Sequence, residues 1–200
     1  MRATGQIGAI LLRKTEKVRQ GWRVEFVAGQ RAVRVARQDH TTLAETAGLL
    51  SSHTRDVPGQ VRKLQEESRQ ARKHTEELLG QIAELQAAQL LGDTPQTGGR
   101  RRLVVRVFPN RDVNFIKLLA QTLVRLNASV VALLAATAGE SSLVFAQSAG
   151  QPFDMGALMK ESVAKLGGRG GGSKDMAQGG ITKTEGLDEV LEDLSSRLRS

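Results

Sequence analysis

The sequence predicts a mixed α/β chain of the α+β kind: a β-hairpin, then two long helices, then a small mixed-sheet domain of about 100 residues. Three observations predict it. Trp22, Val24 and Phe26 alternate with Arg23, Glu25 and Val27, the two-residue period of a half-buried strand. From Val57 onward apolar residues recur at alternating steps of four and three, the period of a helical seam. Beyond residue 99, short β-branched runs alternate with amphipathic helical stretches.

Composition bounds what such a chain can do. Of its 200 residues, 40% are apolar and only 3% aromatic, so the core must be built from Leu, Val, Ile and Ala. No run approaches the roughly 18 apolar residues that a spanning helix needs, so no membrane segment is expected. Cysteine is absent, which excludes disulfides and thiolate metal sites and fits a cytoplasmic protein. With three histidines, an all-protein zinc site is not expected. Arg13, Lys14 and Lys17 follow the first apolar stretch rather than precede it, which is not a signal-peptide pattern. The net charge of +8 is unevenly spread. Nine basic and two acidic residues give +7 over 1–38, six and nine give −3 over 39–95, and fourteen and ten give +4 over 96–200. Basic ends attract phosphate backbones, although the same charge suits anionic membranes or solubility.

Residues 1–29 read as the hairpin: a strand from Ile7 to Val18, a turn at Arg19-Gln20-Gly21, and the alternating strand. A two-stranded hairpin is marginal in water and needs a surface to pack on; this one looks like the tail of a larger sheet. Residues 30–91 read as helices. Val33, Ala36, Leu43, Ala47 and Leu50 share a stripe, with His40 in the same register. Asp56 and Pro58 suit a helix start. The second helix then runs to Leu91 with a stripe of Val57, Val61, Leu64, Ser68, Ala71, Thr75, Leu78, Ile82, Leu85 and Gln89. It should span roughly 52 Å. The two helices can fold back on each other, the seam can pair two chains, or both can hold. Residues 92–99, GDTPQTGG, read as a linker. In 100–200, Arg102–Phe108, Val130–Ala135 and Leu143–Ala146 read as strands, the second buried on both faces. Asp112 and Asp154 can cap helices, and Leu187, Val190, Leu191, Leu194 and Leu198 mark a final one.

Between the last two helices, seven of the fourteen residues Gly167–Gly180 are glycine. Glycine weakens helices and strands by about 0.5–1 kcal/mol relative to alanine, so a loop is expected. Bare N–H groups of such a loop can form an anion-binding nest, and Arg169 and Lys174 add charge there. The spacing fits neither a Walker P-loop nor a GxGxxG turn. A flexible linker is the plainer alternative.

The string GGRGGGSKDMAQGG closely resembles the glycine-rich signature of the DHHA1 domain. That domain closes alanyl-tRNA synthetases and long alanyl-tRNA editing proteins, and forms the substrate-binding half of DHH phosphoesterases. Lys174-Asp-Met-Ala-Gln-Gly looks closer to the synthetase branch; the phosphoesterases usually carry a His where Ser173 stands. Arg106-Val-Phe and Asp112–Ala120 fit the start of the domain, and the helices resemble the spacer that precedes it. Thr4–Gly8 and Arg23–Ala32 look like the last strands of the family's editing domain. That domain's zinc pairs, His-x-x-x-His and Cys-x-x-x-His, have no counterpart here; His40, His53 and His74 are expected in the helices as ordinary residues.

The resemblance implies binding of tRNA, alanine tRNA in particular, with no catalytic residues, metal or other cofactor in this chain. The expected nucleic-acid contacts are Gly167, Gly168, Arg169, Gly170, Gly171, Gly172, Lys174, Asp175, Gln178, Gly179 and Gly180, with Arg100, Arg101 and Arg106 as weaker additions. A homodimer through 57–91 and the C-terminal domain is a further expectation. The alternatives are a phosphoesterase acting on nucleotides or oligonucleotides, and a coiled-coil dimerisation module. Ser51, Ser52 and His53 are neighbours in sequence but form no triad pattern, and Glu66/Glu67 and Glu76/Glu77 read as solvated helix surface.

Overall fold

A computed structural model describes residues 4–97 and 101–199. The chain divides into two compact units, Met1–Arg72 and Lys73–Ser200.

In the first unit Thr4–Ile7 is a 3-10 turn, so the first strand starts later than the apolar pattern implies. β1 (Ile10–Val18) and β2 (Gly21–Ala28) pair antiparallel around a two-residue turn, with Leu12 opposite Phe26 and Lys17 opposite Trp22. The register slips at Arg13. Gly29, at φ +62°, turns the chain into α1 (Gln30–Leu49), and its N–H donates to the Ala9 carbonyl at 2.8 Å. The displaced Arg13 forms an ion pair with Asp39 on α1. One face of the hairpin rests on α1 around the buried Ala32. Its other face stays bare: Ile10, Leu12, Trp22 and Phe26 are 57–68% exposed. His53 lies in the turn after α1, not in a helix. Ser51 takes a left-handed φ of +48° there.

α2 (Val57–Asp93) is longer than expected; it runs through Gly92, and at about 1.5 Å per residue it spans roughly 55 Å. The division between the units falls within it. In the second unit α2 buries little of the heptad stripe: among the described residues only its Ile82 packs against the core. Ala83 and Ala87 are fully buried, flanked by Leu79, Ile82 and Leu90, because small side chains let the helix approach closely. Val61, Leu64, Leu78 and Leu85, all stripe residues, remain exposed. Within the expected linker, α2 runs on to Asp93 and β3 (Gln96–Thr97) pairs with Arg101 and Arg102, while 98 and 99 lie outside the described residues.

The main sheet contains β4 (Arg101–Phe108), β5 (Val130–Ala136), β6 (Ser142–Gln147), β7 (Arg169–Gly172) and β8 (Met176–Gly180). Its strand order is β3-β4-β5-β6-β8-β7, with β4 and β5 parallel and every other pair antiparallel. β5 is buried along its whole length, as its unbroken apolar run requires. α3 (Val113–Leu126) and the end of α2 cover one face. α4 (Met155–Lys165) and α5 (Leu187–Arg199) cover the other. Both expected caps form: the Asp112 carboxylate accepts from Phe115 N–H and the Asp154 carboxylate from Ala157 N–H, each at 2.9 Å.

An ion-pair network fastens α5 to α4. Glu161 lies 2.7 Å from Arg197 and 3.3 Å from Lys165, which also lies 3.3 Å from Asp193. The hydrogen bond from Arg197, and then that from Lys165, holds the Glu161 carboxyl below its ordinary pKa. Lys165 and Arg197 are raised in return, chiefly by their bonds to Glu161. Among the described residues, no helix is long and apolar enough to cross a membrane.

Candidate nucleic-acid interface

The glycine-rich segment is not a loop. Residues 169–180 form a β-hairpin, β7 and β8, at the edge of the main sheet. The expected nest of N–H groups is therefore corrected: most of the segment is extended, and within it only Gly167, at φ +68°, is left-handed. Local propensity loses to close packing. A Cβ on Gly168 would sit 2.0 Å from the Gly180 carbonyl oxygen. On Gly172 it would sit 2.3 Å from that of Met176, and on Gly170 2.6 Å from the Gly179 Cα. On Gly179 it would strike Val163 of α4 at 2.6 Å. Glycine lets two strands and a helix approach where no side chain fits.

The turn of the hairpin is fixed from several sides. Ser173 N–H donates to the Met176 carbonyl at 2.8 Å, and Met176 N–H donates back to Ser173 Oγ at 3.2 Å. The Lys174 carbonyl accepts from Met155 N–H, at the start of α4, at 2.9 Å. It accepts also from Gln147 Nε2 at 3.1 Å. The same Gln147 amide donates to the Phe153 carbonyl at 2.7 Å and to Asp175 Oδ1 at 3.3 Å. Gln147 is 1% exposed, and its buried Oε1 has no partner among the described residues. Gly156 completes the seat: a Cβ there would lie 2.9 Å from the Gly172 carbonyl oxygen, so α4 begins against the end of β7.

This framework presents the charged residues outward. Arg169, Lys174, Asp175 and Gln178 are all exposed. Along β7 and β8 alternate residues share a face. Gly170, Gly172, Ala177 and Gly179 face α4, whereas Arg169, Gly171, Gln178 and Gly180 face away from it. Gly167 and Gly168 link α4 to β7, where Thr182 Oγ1 donates to the Gly167 carbonyl at 2.7 Å.

The other expected contacts are not brought here. Arg101 and Arg106 lie on β4, separated from β7 by β5, β6 and β8, roughly 19 Å at the usual strand spacing. Arg106 is exposed. Arg101 is half-buried; its guanidinium stacks 4.7 Å above the Phe153 ring and donates to the Leu198 carbonyl at 2.9 Å. Arg102 donates to the carbonyls of Leu91 and Thr94. Arg100 lies outside the described residues. His40, His53 and His74 stand on α1, in the following turn and on α2, and no group of three or more metal-binding side chains gathers among the described residues.

Two residues at the site escaped the sequence reading. Gln147 stands one residue beyond the apolar run Leu143–Ala146, which gives no sequence signal of its role. Lys160, exposed on α4, reaches the hairpin: its Cε lies 4.0 Å from where a Gly171 Cβ would stand. Its helical position gives no sequence signal of that reach.

Comparison with known proteins matches the part that carries this hairpin. The DHHA1 domain matches residues 99–200. The chain is 32% identical over 195 residues to the alanine–tRNA ligase of Oleidesulfovibrio alaskensis, covering 96% of this chain and 22% of that one. It is 30% identical over 197 residues to the alanine–tRNA ligase of Lactococcus lactis subsp. cremoris, covering 98% and 22%. The chain thus spans about a fifth of the length of these curated relatives. Among solved structures, the C-Ala domain of Aquifex aeolicus alanyl-tRNA synthetase aligns with a TM-score of 0.49 at 23% identity, over 54% of this chain and 99% of that one. RecJ from Thermus thermophilus aligns with a TM-score of 0.44 at 18% identity, over 77% and 23%. With the DHHA1 match spanning more than half of its residues, hairpin included, the chain belongs to the DHHA1 domain family.

Proposed function

We propose that this chain is a tRNA-binding module that acts in the cytoplasm, holds alanine tRNA by preference, and neither ligates nor hydrolyses. The reading rests on one observation: the signature glycines build a rigid hairpin that carries Arg169, Lys174 and Gln178 exposed at the edge of the sheet. Cations on a fixed edge suit phosphates, which dominate affinity for nucleic acids. The alanine–tRNA ligase relatives favour tRNA as the partner. Arg106 and Arg100 are secondary contacts in this reading, and Arg101 supports the fold rather than the RNA.

The test is binding of the purified chain to total tRNA and to a matched DNA duplex across a salt series. Tight, salt-sensitive binding to tRNA with much weaker binding to DNA is expected. Arg169→Ala together with Lys174→Ala should lower tRNA affinity and flatten the salt dependence by about one unit per lost phosphate contact. Equal, weak binding to both nucleic acids would overturn the reading, as would manganese-dependent phosphodiester hydrolysis by the chain alone.

A second role is favoured by the exposed stripe of Val61, Leu64, Leu78 and Leu85 on α2. Left bare in one chain, it suits pairing of two copies into a homodimer through residues 57–91. Sedimentation of wild type against Leu64→Lys with Leu85→Lys tests this; equal masses would refute it.

A further inference from the structure

The register slip at Arg13 decides which side chains share the uncovered face of the N-terminal hairpin. Strict alternation from Ile10 and Leu12 would bring Lys14 and Glu16 next onto that face. The extra residue shifts the pattern, as a β-bulge does, so that Thr15 lies opposite Val24 and Lys17 opposite Trp22. The face then carries Ile10, Leu12, Trp22, Val24 and Phe26, all exposed, with Thr15 and Lys17 as its polar members. No carboxylate is left on it. Glu16 and Glu25 stand on the opposite face, where Glu16 lies 2.8 Å from both Lys14 and Arg23.

Positive charge gathers at the turn end of the same face. Lys17 and Arg19 are exposed and form no ion pair among the described residues. Beside them stands Trp22, an amphipathic ring suited to a boundary between water and an apolar medium. Residues 1–38 as a whole carry +7. An occupant of this face must therefore offer apolar surface and negative charge together. A second copy brings another +7 and is repelled. It also gains too little: the face measures roughly 26 Å by 10 Å, about 260 Å², whereas a stable interface takes about 800 Å² from each partner. RNA has the charge without the apolar surface. The shortfall of area weighs equally against a folded acidic protein, which would also need hydrogen bonds at roughly one per 100–200 Å² and would find only Thr15 and Lys17 to make them.

We infer that this face of the hairpin lies on an anionic phospholipid bilayer as a peripheral anchor. The apolar side chains enter the boundary between headgroups and acyl chains, with Trp22 at the level of the headgroups. Lys17 and Arg19 meet the lipid phosphates. The opposite face, with Lys14, Glu16 and Arg23 paired among themselves, stays toward water. Binding draws on both halves of the face, since a small apolar area is held weakly without charge and free cations are held weakly without apolar contact. Nothing in this depends on the tRNA-binding reading, whose residues belong to the second unit.

The test is co-sedimentation of the full chain with two kinds of vesicle, phosphatidylcholine alone and phosphatidylcholine mixed equally with phosphatidylglycerol, across a salt series and without nucleic acid. Binding to the mixed vesicles that weakens with salt, and little binding to the neutral ones, is expected. Leu12→Ser with Phe26→Ser should remove most of that binding and leave the melting temperature in place, because both side chains are exposed. Lys17→Ala with Arg19→Ala keeps the apolar side chains and should weaken binding by about fivefold per cation. Arg169→Ala with Lys174→Ala should bind vesicles as the wild type does. Equal binding to both vesicles, binding to neither, or binding that survives the serine pair would overturn the inference. Loss of binding in the Arg169 and Lys174 variant would overturn it too, by tracing the vesicles to the cations of the second unit. If the lipid-free wild type sediments as a larger species than the serine pair, a second copy covers the face and the bilayer does not. If the serine pair loses an acidic protein that the wild type retains from cell extract, a protein is the cover and the inference falls.

Discussion

Two adjacent glycines should respond to alanine with opposite signs. Gly179 faces α4, and a methyl group there would meet Val163 Cγ1 at 2.6 Å, Met159 Sδ at 3.0 Å and the Gly170 Cα at 3.1 Å. Val163 and Met159 are themselves packed in the core, so they cannot swing away without disturbing it. Overpacking of this kind destabilises by about 1–3 kcal/mol. The backbone Cα of Gly170, fixed in the β-ladder, puts the expectation in the upper half of that range. Gly180 is one residue further on, and its new methyl would meet nothing within 4 Å. There alanine only narrows the unfolded ensemble, which stabilises by roughly 0.4–1 kcal/mol. Trp22, the single tryptophan, belongs to the first unit, so its fluorescence is the wrong probe. Hydrogen exchange at the β6 and β8 amides, with far-UV ellipticity on heating, reads the right unit. Protection should drop in Gly179→Ala and hold or rise in Gly180→Ala. Equal shifts of the same sign would refute the division of this hairpin into a packed and an open face.

Three further outcomes follow from the same framework. Gln147→Leu removes the donor shared by the Phe153 and Lys174 carbonyls and Asp175, so unit two should lose about 1–3 kcal/mol in denaturant titration. Asp154→Ala deletes the cap of α4 and should cost about 1 kcal/mol by the same assay, whereas Asp154→Asn should lose less. Glu161→Gln tests the α4–α5 network. The folded-state pKa of Glu161 is lowered, so its stabilisation is present above the ordinary carboxylate value and disappears as pH falls through the depressed one. The melting-temperature gap between wild type and Glu161→Gln should be present at neutral pH and close in acid; a gap that persists at low pH would disprove the assignment.

The strands and caps of the second unit were legible because one-dimensional signals decide them. β5 is apolar throughout and is buried on both faces; Asp112 and Asp154 sit three residues before the N–H groups they cap. The glycine segment was legible as a family signature and illegible as a structure. Propensity assigns seven glycines in fourteen to a loop, and only three-dimensional proximity shows that a side chain at 168 or 172 would collide with the opposite strand. The face that α2 buries was only partly legible, for a related reason. A heptad reading weights Leu78 and Leu85, whereas the close approach of the helix selects Ala83 and Ala87. The arginines at the domain entrance share a charge but not a surrounding: Arg101 and Arg102 turn inward to carbonyls, and Arg106 does not. No pattern of adjacent arginines distinguishes those fates.

The uncovered face of the N-terminal hairpin has an optical consequence. At the turn end of that face stands Trp22, 68% exposed and the one indole in the chain. In water that indole emits at the red end of its range, and an apolar surface that covers this face along its whole length, Trp22 included, desolvates it. The emission maximum of the unlabelled protein is therefore a gauge of whether this face is covered. A blue shift that grows with protein concentration identifies a second copy as the cover, one that appears only on adding lipid vesicles identifies a bilayer, and a spectrum that stays red reports roughly several hundred Å² of apolar surface held open to solvent.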